Sequence, residues 1–135
     1  MEDLDLEAFH SHVIFTASAG TVPVIAGSMG EAVHLSGAER ITLVQIARRA
    51  LKTIGLADTM PIIVGVGAPN TRETILLACE VAAAGADSVM VVPPGYYSGP
   101  LQSADCAALK TYFVDIAAAS PLPVILNNFP LSPLG

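Results

Sequence analysis

The 135-residue chain has few of the residues that define several protein classes. It contains two cysteines, Cys79 and Cys106, and no tryptophan. Two cysteines are too few for a disulfide scaffold, and isolated cysteines in an apolar chain are expected to be buried, reduced thiols. Histidine and cysteine nowhere have the spacing of metal ligands. We therefore predict neither a metal site nor another cofactor.

Charge is scarce as well, at 13% of the residues. The six basic residues are scattered and the net charge is −6, which speaks against a nucleic-acid partner. No run of about 18 apolar residues is present, so no membrane span is predicted. The acidic start, MEDLDLEAFH, lacks the basic region of a secretion signal. We predict a cytoplasmic protein, with a mitochondrial location left open.

Hydrophobic residues, in contrast, make up 53% of the chain. Four apolar runs without polar alternation alternate with four helical patterns, which is typical of parallel strands buried on both faces. The predicted strands are Val22–Ala26, Pro61–Val66, Ser88–Val92 and Leu122–Leu126. The predicted helices cover residues 3–18, 37–54, 71–84 and 101–119.

This order predicts a single α/β domain over residues 1–135, with about four βα units and a parallel sheet. Two architectures are compatible with it: a small open doubly wound sheet, or part of a (β/α)8 TIM barrel. A complete barrel needs about 250 residues, so this chain could supply about half of one. The pattern alone does not choose between them.

The turn after the first predicted strand is the best candidate for a binding site. Gly27 and Gly30 allow positive φ angles or a close approach to a ligand, and Ser28 adds a hydroxyl group. Such turns at the carboxyl ends of parallel strands hold small anions. An ordinary glycine-rich connection is the alternative. Ser36 and Glu39 form a capping box for the helix that follows.

Four segments together resemble the dihydrodipicolinate synthase / N-acetylneuraminate lyase family of class I aldolases. They are GSMGEAVHLSGAER (27–40), PIIVGVGAPNTRETI (61–75), AAGADSVMVVPPGYYSGP (83–100) and YFVDIAAASPLPVILNNFP (112–130). The GS-x-GE form of the turn is closer to the branch acting on 4-hydroxy-2-oxoglutarate. The resemblance implies a (β/α)8 barrel, homo-oligomeric in full-length members, of which this chain covers the first helix to the fifth strand.

The resemblance also implies a Schiff base between pyruvate, or a related 2-keto acid, and a lysine on the sixth strand. The chain has two lysines, Lys52 and Lys110, and both fall in predicted outer helices. The imine-forming lysine is therefore expected to be absent. Gly27, Ser28 and Met29 would bind the substrate carboxylate, with Ser28 also in a proton relay.

Two further positions follow from the resemblance. Tyr96, with Tyr97 as the alternative, matches a relay tyrosine that works across a subunit interface; packing is the other reading of both. Asn127 stands where the family has its catalytic tyrosine. Asparagine can form hydrogen bonds but cannot shuttle a proton near neutral pH. Glu31 is expected to bond to loop amides rather than to catalyse.

The sequence therefore predicts part of a lyase that acts on 2-keto acids, inactive on its own. Two alternatives remain. The chain could be a non-catalytic fragment that associates with full-length homologues through unpaired strand edges. It could also be a small-anion-binding open α/β module, for which Gly65-Val66-Gly67 before a helix is weak support.

Overall fold

The computed structural model describes residues 3–95 and 106–128. In this part of the chain, four strands form one parallel sheet in the order β1-β2-β3-β4. The strands are β1 Val24–Ile25, β2 Ile63–Gly65, β3 Ser88–Val91 and β4 Val124–Leu126. The helices are α1 Leu6–Ser18, α2 Gly37–Thr53, α3 Thr71–Ala84 and α4 Ala107–Ala119, and a short 3-10 helix spans Ala32–His34.

The sequential strand order decides between the two predicted architectures. Each helix contacts the next one in the chain, α1 with α2, α2 with α3 and α3 with α4. The helices therefore form one continuous layer, as in a barrel wall, whereas a doubly wound sheet places its crossovers on both faces and reorders its strands. The structure is a partial TIM barrel, as predicted, and the open doubly wound alternative is wrong.

Local signals set the helix boundaries. The capping box is present, because the Ser36 hydroxyl accepts from the Glu39 N–H and the Glu39 carboxylate accepts from the Ser36 N–H. Asn70 caps α3, and Gly85 ends it in a left-handed conformation at φ 108°. The predicted start of the last helix, residues 101–105, lies outside the described residues.

The core lies between the sheet and the helix layer. Its largest fully buried side chains include Leu51 of α2, Val64 of β2 and Ile116 of α4. The predicted burial of the cysteines is wrong, because Cys79 and Cys106 are both exposed. Cys79 is on α3, whose buried stripe is supplied by Thr74, Leu77, Ala78 and Val81, so its side chain belongs to the outer face.

Candidate functional site

A pocket of about 490 Å³ opens at the carboxyl ends of the strands. This is the end at which parallel α/β folds bind their ligands. Ala26, Gly27 and Ser28 after β1 line it, as do Gly67 after β2 and Asn127 after β4. The remaining lining residues are Ala32, Val33, Leu35, Ser36, Gly37, Arg40, Gly65, Ala68, Pro69, Glu73, Leu77, Met90 and Val92.

The floor of the pocket depends on a close approach of two backbones. A Cβ atom on Gly65 would lie 1.9 Å from the Ala26 carbonyl oxygen, which no side chain can tolerate. Gly67 is similarly restricted, because its Cβ would lie 2.7 Å from a Val92 side-chain carbon. The two glycines of the G-x-G segment are therefore explained by backbone and side-chain packing around the pocket.

The turn Gly27–Glu31 is folded on itself by main-chain hydrogen bonds. The N–H groups of Gly30 and Ala32 both donate to the Gly27 carbonyl, at 3.0 and 3.3 Å, and the Glu31 N–H donates to Ser28. Within the described chain, the N–H groups of Gly27, Ser28 and Met29 donate to no main-chain carbonyl. Of these three consecutive amides, those of Gly27 and Ser28 belong to residues that line the pocket, an arrangement that suits an anion.

Two residues other than glycine have positive φ angles at the turn. They are Ala26, which precedes the turn, and Glu31, its last residue, each at φ 53°. Gly27 and Gly30 are not among the described residues with positive φ. Space is tight at Gly30, since a Cβ there would lie 3.3 Å from the Gly27 nitrogen. Of the two possibilities that the sequence left open for these glycines, positive φ is not observed at Gly27 or Gly30, and the strained backbone is at Ala26 and Glu31.

Of the three residues predicted to bind the substrate carboxylate, two line the pocket. Gly27 and Ser28 do so, whereas Met29 is 98% exposed and does not. Met29 therefore lies outside the pocket lining. Asn127 lines the same pocket from β4, where its N–H extends the ladder to the Val91 carbonyl at 2.9 Å. Tyr96 and Tyr97 lie outside the described residues.

Arg40 is a pocket residue to which the sequence analysis assigned no role. Its side chain is only 6% exposed, and it donates to two main-chain carbonyls, Gly65 at 2.9 Å and Ala32 at 2.6 Å. Its Nε is buried without a partner. Burial lowers the pKa of the guanidinium from its ordinary value, and the nearby Glu73 carboxylate opposes this shift. The group remains a cation at neutral pH.

A signal for Arg40 was present in the sequence. Arg40 is four residues before Val44 and seven before Ala47, which puts it on the buried stripe of α2. A basic residue in an apolar stripe needs buried partners, because an unpaired buried charge is costly. The partners are carbonyls 8 and 25 residues away in the chain, so the sequence alone could not name them.

The other charged candidates lie away from the pocket or have structural contacts. Lys52 is in the last turn of α2 and Lys110 at the start of α4, and both are exposed on the helix layer. Asp87 pairs with Arg48 and accepts from the Ile62 N–H at 2.7 Å, at the opposite end of the sheet. The loop-amide bonds expected of the Glu31 carboxylate are not observed in the described residues.

Two features are absent from the described residues. No group of three or more histidine, cysteine or acidic side chains is arranged to hold a metal ion. No helix in residues 3–95 or 106–128 has the length and apolar character needed to cross a membrane.

Known proteins resemble the chain over most of its length. The model of the dihydrodipicolinate synthetase family matches residues 2–133. A protein of Emericella nidulans, named as a probable 4-hydroxy-2-oxoglutarate aldolase, mitochondrial, is 46% identical, with 96% of this chain and 41% of the relative covered. The L-threo-3-deoxy-hexylosonate aldolase of Aspergillus niger is 39% identical, with 96% of this chain and 38% of that relative covered.

Solved structures agree with the sequence relatives. A dihydrodipicolinate synthase family protein from Coccidioides immitis superposes with a TM-score of 0.82 at 34% identity, over 96% of this chain and 39% of that one. The dihydrodipicolinate synthase from Acinetobacter baumannii, solved in complex with pyruvate, superposes with a TM-score of 0.80 at 34% identity. The superposition covers 94% of this chain and 40% of that one. The chain spans about two fifths of the length of these relatives. It belongs to the dihydrodipicolinate synthetase family.

Proposed function

We propose that this chain forms one single domain, residues 1–135, that carries the carboxylate-binding half of a pyruvate-type aldolase site. The observation that carries the proposal is that Gly27 and Ser28 line the pocket and that their N–H groups, like that of Met29, donate to no main-chain carbonyl of the described chain. An anionic keto acid can accept from these N–H groups and from the Ser28 hydroxyl. The Arg40 cation lines the same pocket and favours an anion there.

The substrate class is a small 2-keto acid such as pyruvate. Two similar proteins support it: the Emericella nidulans relative is named as an aldolase for 4-hydroxy-2-oxoglutarate, and the Acinetobacter baumannii structure contains pyruvate. Family chemistry joins the keto carbon to a lysine amine as an imine, with release of water. Here Ser28 would serve as carboxylate ligand and as a member of the proton relay.

The same chain alone is proposed to be inactive. Lys52 and Lys110 are exposed on the outer helices rather than in the pocket. Asn127 occupies the pocket position that we assign to the family tyrosine, and its amide cannot move a proton near neutral pH. Tyr96, or Tyr97 in its place, would complete the relay only in a full-length homo-oligomer. A cytoplasmic location remains a prediction, and the Emericella nidulans relative bears the word mitochondrial in its name.

Trapping and binding experiments separate these statements. Borohydride reduction of the 135-residue chain with labelled pyruvate should leave no adduct, while a full-length relative treated in parallel should be labelled. A stable adduct on Lys52 or Lys110 would show that the inactivity proposal is wrong. Trapping tests catalysis only, so binding is measured separately.

For binding, carbon-13-labelled pyruvate is titrated into the chain and followed by NMR line width. Ser28→Ala should weaken binding about tenfold, since a hydrogen bond to a charged group contributes about 1.5 kcal/mol or more. Ser18→Ala, an exposed serine at the end of α1, is the matched control and should bind as the parent does. Equal binding by the parent and Ser28→Ala would remove the assigned role of the hydroxyl.

A further inference from the structure

The Gly27 carbonyl sets the direction of the Ser28 N–H. It accepts hydrogen bonds from the Gly30 N–H at 3.0 Å and from the Ala32 N–H at 3.3 Å, so it is turned into the turn. The peptides of the described chain are trans, and the C=O and N–H of a trans peptide point in opposite directions. The Ser28 N–H is therefore directed away from these two donors. Ser28 lines the pocket, and its N–H donates to no main-chain carbonyl of the described chain.

Ala32 connects this carbonyl to the buried Arg40. The Ala32 N–H donates to Gly27, and the Ala32 carbonyl accepts from Arg40 Nη2 at 2.6 Å. Glu31, one residue earlier, has a left-handed backbone at φ 53°, which is unfavourable for a residue other than glycine. Such a conformation persists only where the surrounding contacts fix it. The charge-assisted bond from Arg40 to Ala32 is one of these contacts.

The other arm of the guanidinium holds the strand beside the start of the turn. Arg40 Nη1 donates to the Gly65 carbonyl at 2.9 Å. Gly65 belongs to β2, and it lies so close to Ala26 that a Cβ on it would overlap the Ala26 oxygen. Arg40 thus joins β2, next to the residue that precedes the turn, to Ala32, the residue that follows it. A planar guanidinium presents its donors in a fixed geometry, which suits two carbonyls in different elements.

Arg40 is buried, whereas the turn that it holds is largely open to solvent. Its side chain is 6% exposed, while residues 28–31 are exposed and Gly27 is half-buried. A solvent-exposed turn has few packing contacts of its own, so its geometry depends on the hydrogen bonds at its ends. Both terminal nitrogens of the guanidinium donate to carbonyls, and Nε is buried. The guanidinium is therefore better placed to hold the turn than to contact an anion directly.

We propose that Arg40 is a positioning residue of the carboxylate site. Its hydrogen bonds tie Ala32 to β2, the Ala32 N–H fixes the Gly27 carbonyl, and that carbonyl fixes the direction of the Ser28 N–H. This inference rests on the proposed binding of a 2-keto acid carboxylate at the turn. It adds that Arg40 strengthens this binding through the main chain, and that a positive charge at position 40 does not suffice.

Arg40→Lys separates the geometry from the charge. Lysine keeps the cation but replaces the planar fork with a single ammonium group, which is not a conservative change at a site with two acceptors. Carbon-13-labelled pyruvate is titrated into the parent and the variant, and the affinity is expressed per folded chain, with the folded fraction taken from circular dichroism. Arg40→Lys should bind pyruvate about tenfold more weakly, the loss that corresponds to one misdirected hydrogen bond to a charged group.

An Arg40→Lys variant with the affinity of the parent would overturn the positioning role and leave the proposed function standing. It would show that the charge at position 40 is enough for binding.

Arg48→Lys is the matched control. Arg48 lies on the same helix and also bonds to main-chain carbonyls, those of Ala57 at 2.9 Å and Gly85 at 3.1 Å, at the opposite end of the sheet. Its replacement disturbs a comparable set of hydrogen bonds far from the turn, so the folded variant should bind pyruvate as the parent does. An equal loss of affinity in Arg48→Lys and Arg40→Lys would reflect a general loss of structure and would overturn the positioning role.

The parent chain gives a second measurement that does not require a variant to fold. In proton–nitrogen correlation spectra, saturation with pyruvate should shift the Ser28 amide proton more than those of Gly30 and Ala32, whose N–H groups are bonded to the Gly27 carbonyl. Larger shifts at Gly30 or Ala32 would overturn the assigned direction of the Ser28 N–H. A parent that binds no pyruvate in the titration would overturn the proposed function itself, and this inference with it.

Discussion

Replacing the buried Arg40 with methionine should destabilise the chain by about 2 kcal/mol. Methionine retains much of the side-chain volume but removes both donors, which leaves the carbonyls of Gly65 and Ala32 without their guanidinium partner. Two hydrogen bonds from a charged donor contribute about 1.5–3 kcal/mol each. The substitution also removes the buried Nε, which has no partner and whose desolvation costs about 1–3 kcal/mol, so the net loss of stability is smaller than the sum of the two hydrogen bonds.

Equilibrium unfolding in urea, at one fixed protein concentration, measures this difference. With a slope of about 2 kcal/mol/M, the midpoint should fall by roughly 1 M. Arg49→Met is the matched control, since Arg49 lies on the exposed side of the same helix. Its change should stay within about 0.5 kcal/mol. Equal midpoints for Arg40→Met and the parent would refute the stabilising role of the hydrogen bonds from Arg40 to Gly65 and Ala32.

Three further predictions concern the same framework. Gly65→Ala should prevent folding, as judged by circular dichroism, because its Cβ would lie 1.9 Å from the Ala26 oxygen; Gly27→Ala, with its nearest contact at 3.7 Å, should fold. Thr74→Val should lower the free energy of unfolding more than Tyr112→Phe does. The Thr74 hydroxyl forms hydrogen bonds with Ala68, Asn70 and the Tyr112 hydroxyl, and Tyr112→Phe removes only the last of these. The reverse order of the two losses would contradict this. The Ser36 hydrogen bonds lower the pKa of Glu39 from its ordinary value, so its contribution to stability is present above the unfolded pKa of about 4.3 and is lost as the pH falls through the folded value. The stability difference between the parent and Glu39→Ala, measured by urea titration, should therefore shrink on acidification, and a difference independent of pH would contradict it.

The fold could largely be predicted from the sequence, because its signals are local. The apolar runs at Pro61–Val66 and Ser88–Val92 gave β2 and β3 with an error of a few residues at the ends. The Ser36–Glu39 box set the start of α2. The choice between barrel and doubly wound sheet could not be made from these signals, since it depends on which strands pair, and pairing joins residues far apart in the chain.

The site was predictable only where one segment contains it. Ser28 and Gly27 could be found because a turn after a strand lies at the carboxyl end by necessity. The exposure of Met29 could not, since it depends on how the turn folds on itself through the Gly27 carbonyl. The exposure of Cys79 could not be predicted either, because the apolar composition of the chain does not reveal which face of α3 is turned outward.

The backbone of the pocket is held by residues other than those predicted to bind the substrate carboxylate. Ala26 is kept in a left-handed conformation that a non-glycine residue adopts at a cost of about 1–3 kcal/mol. Gly65 leaves the space for its carbonyl, and Arg40 bonds to main-chain oxygens on both sides of the turn. These contacts restrain the peptide planes next to the Gly27 and Ser28 amides, which donate to no main-chain carbonyl of the described chain. The carboxylate binding that we propose for this turn would therefore depend little on the side chain at position 29, where this chain has methionine.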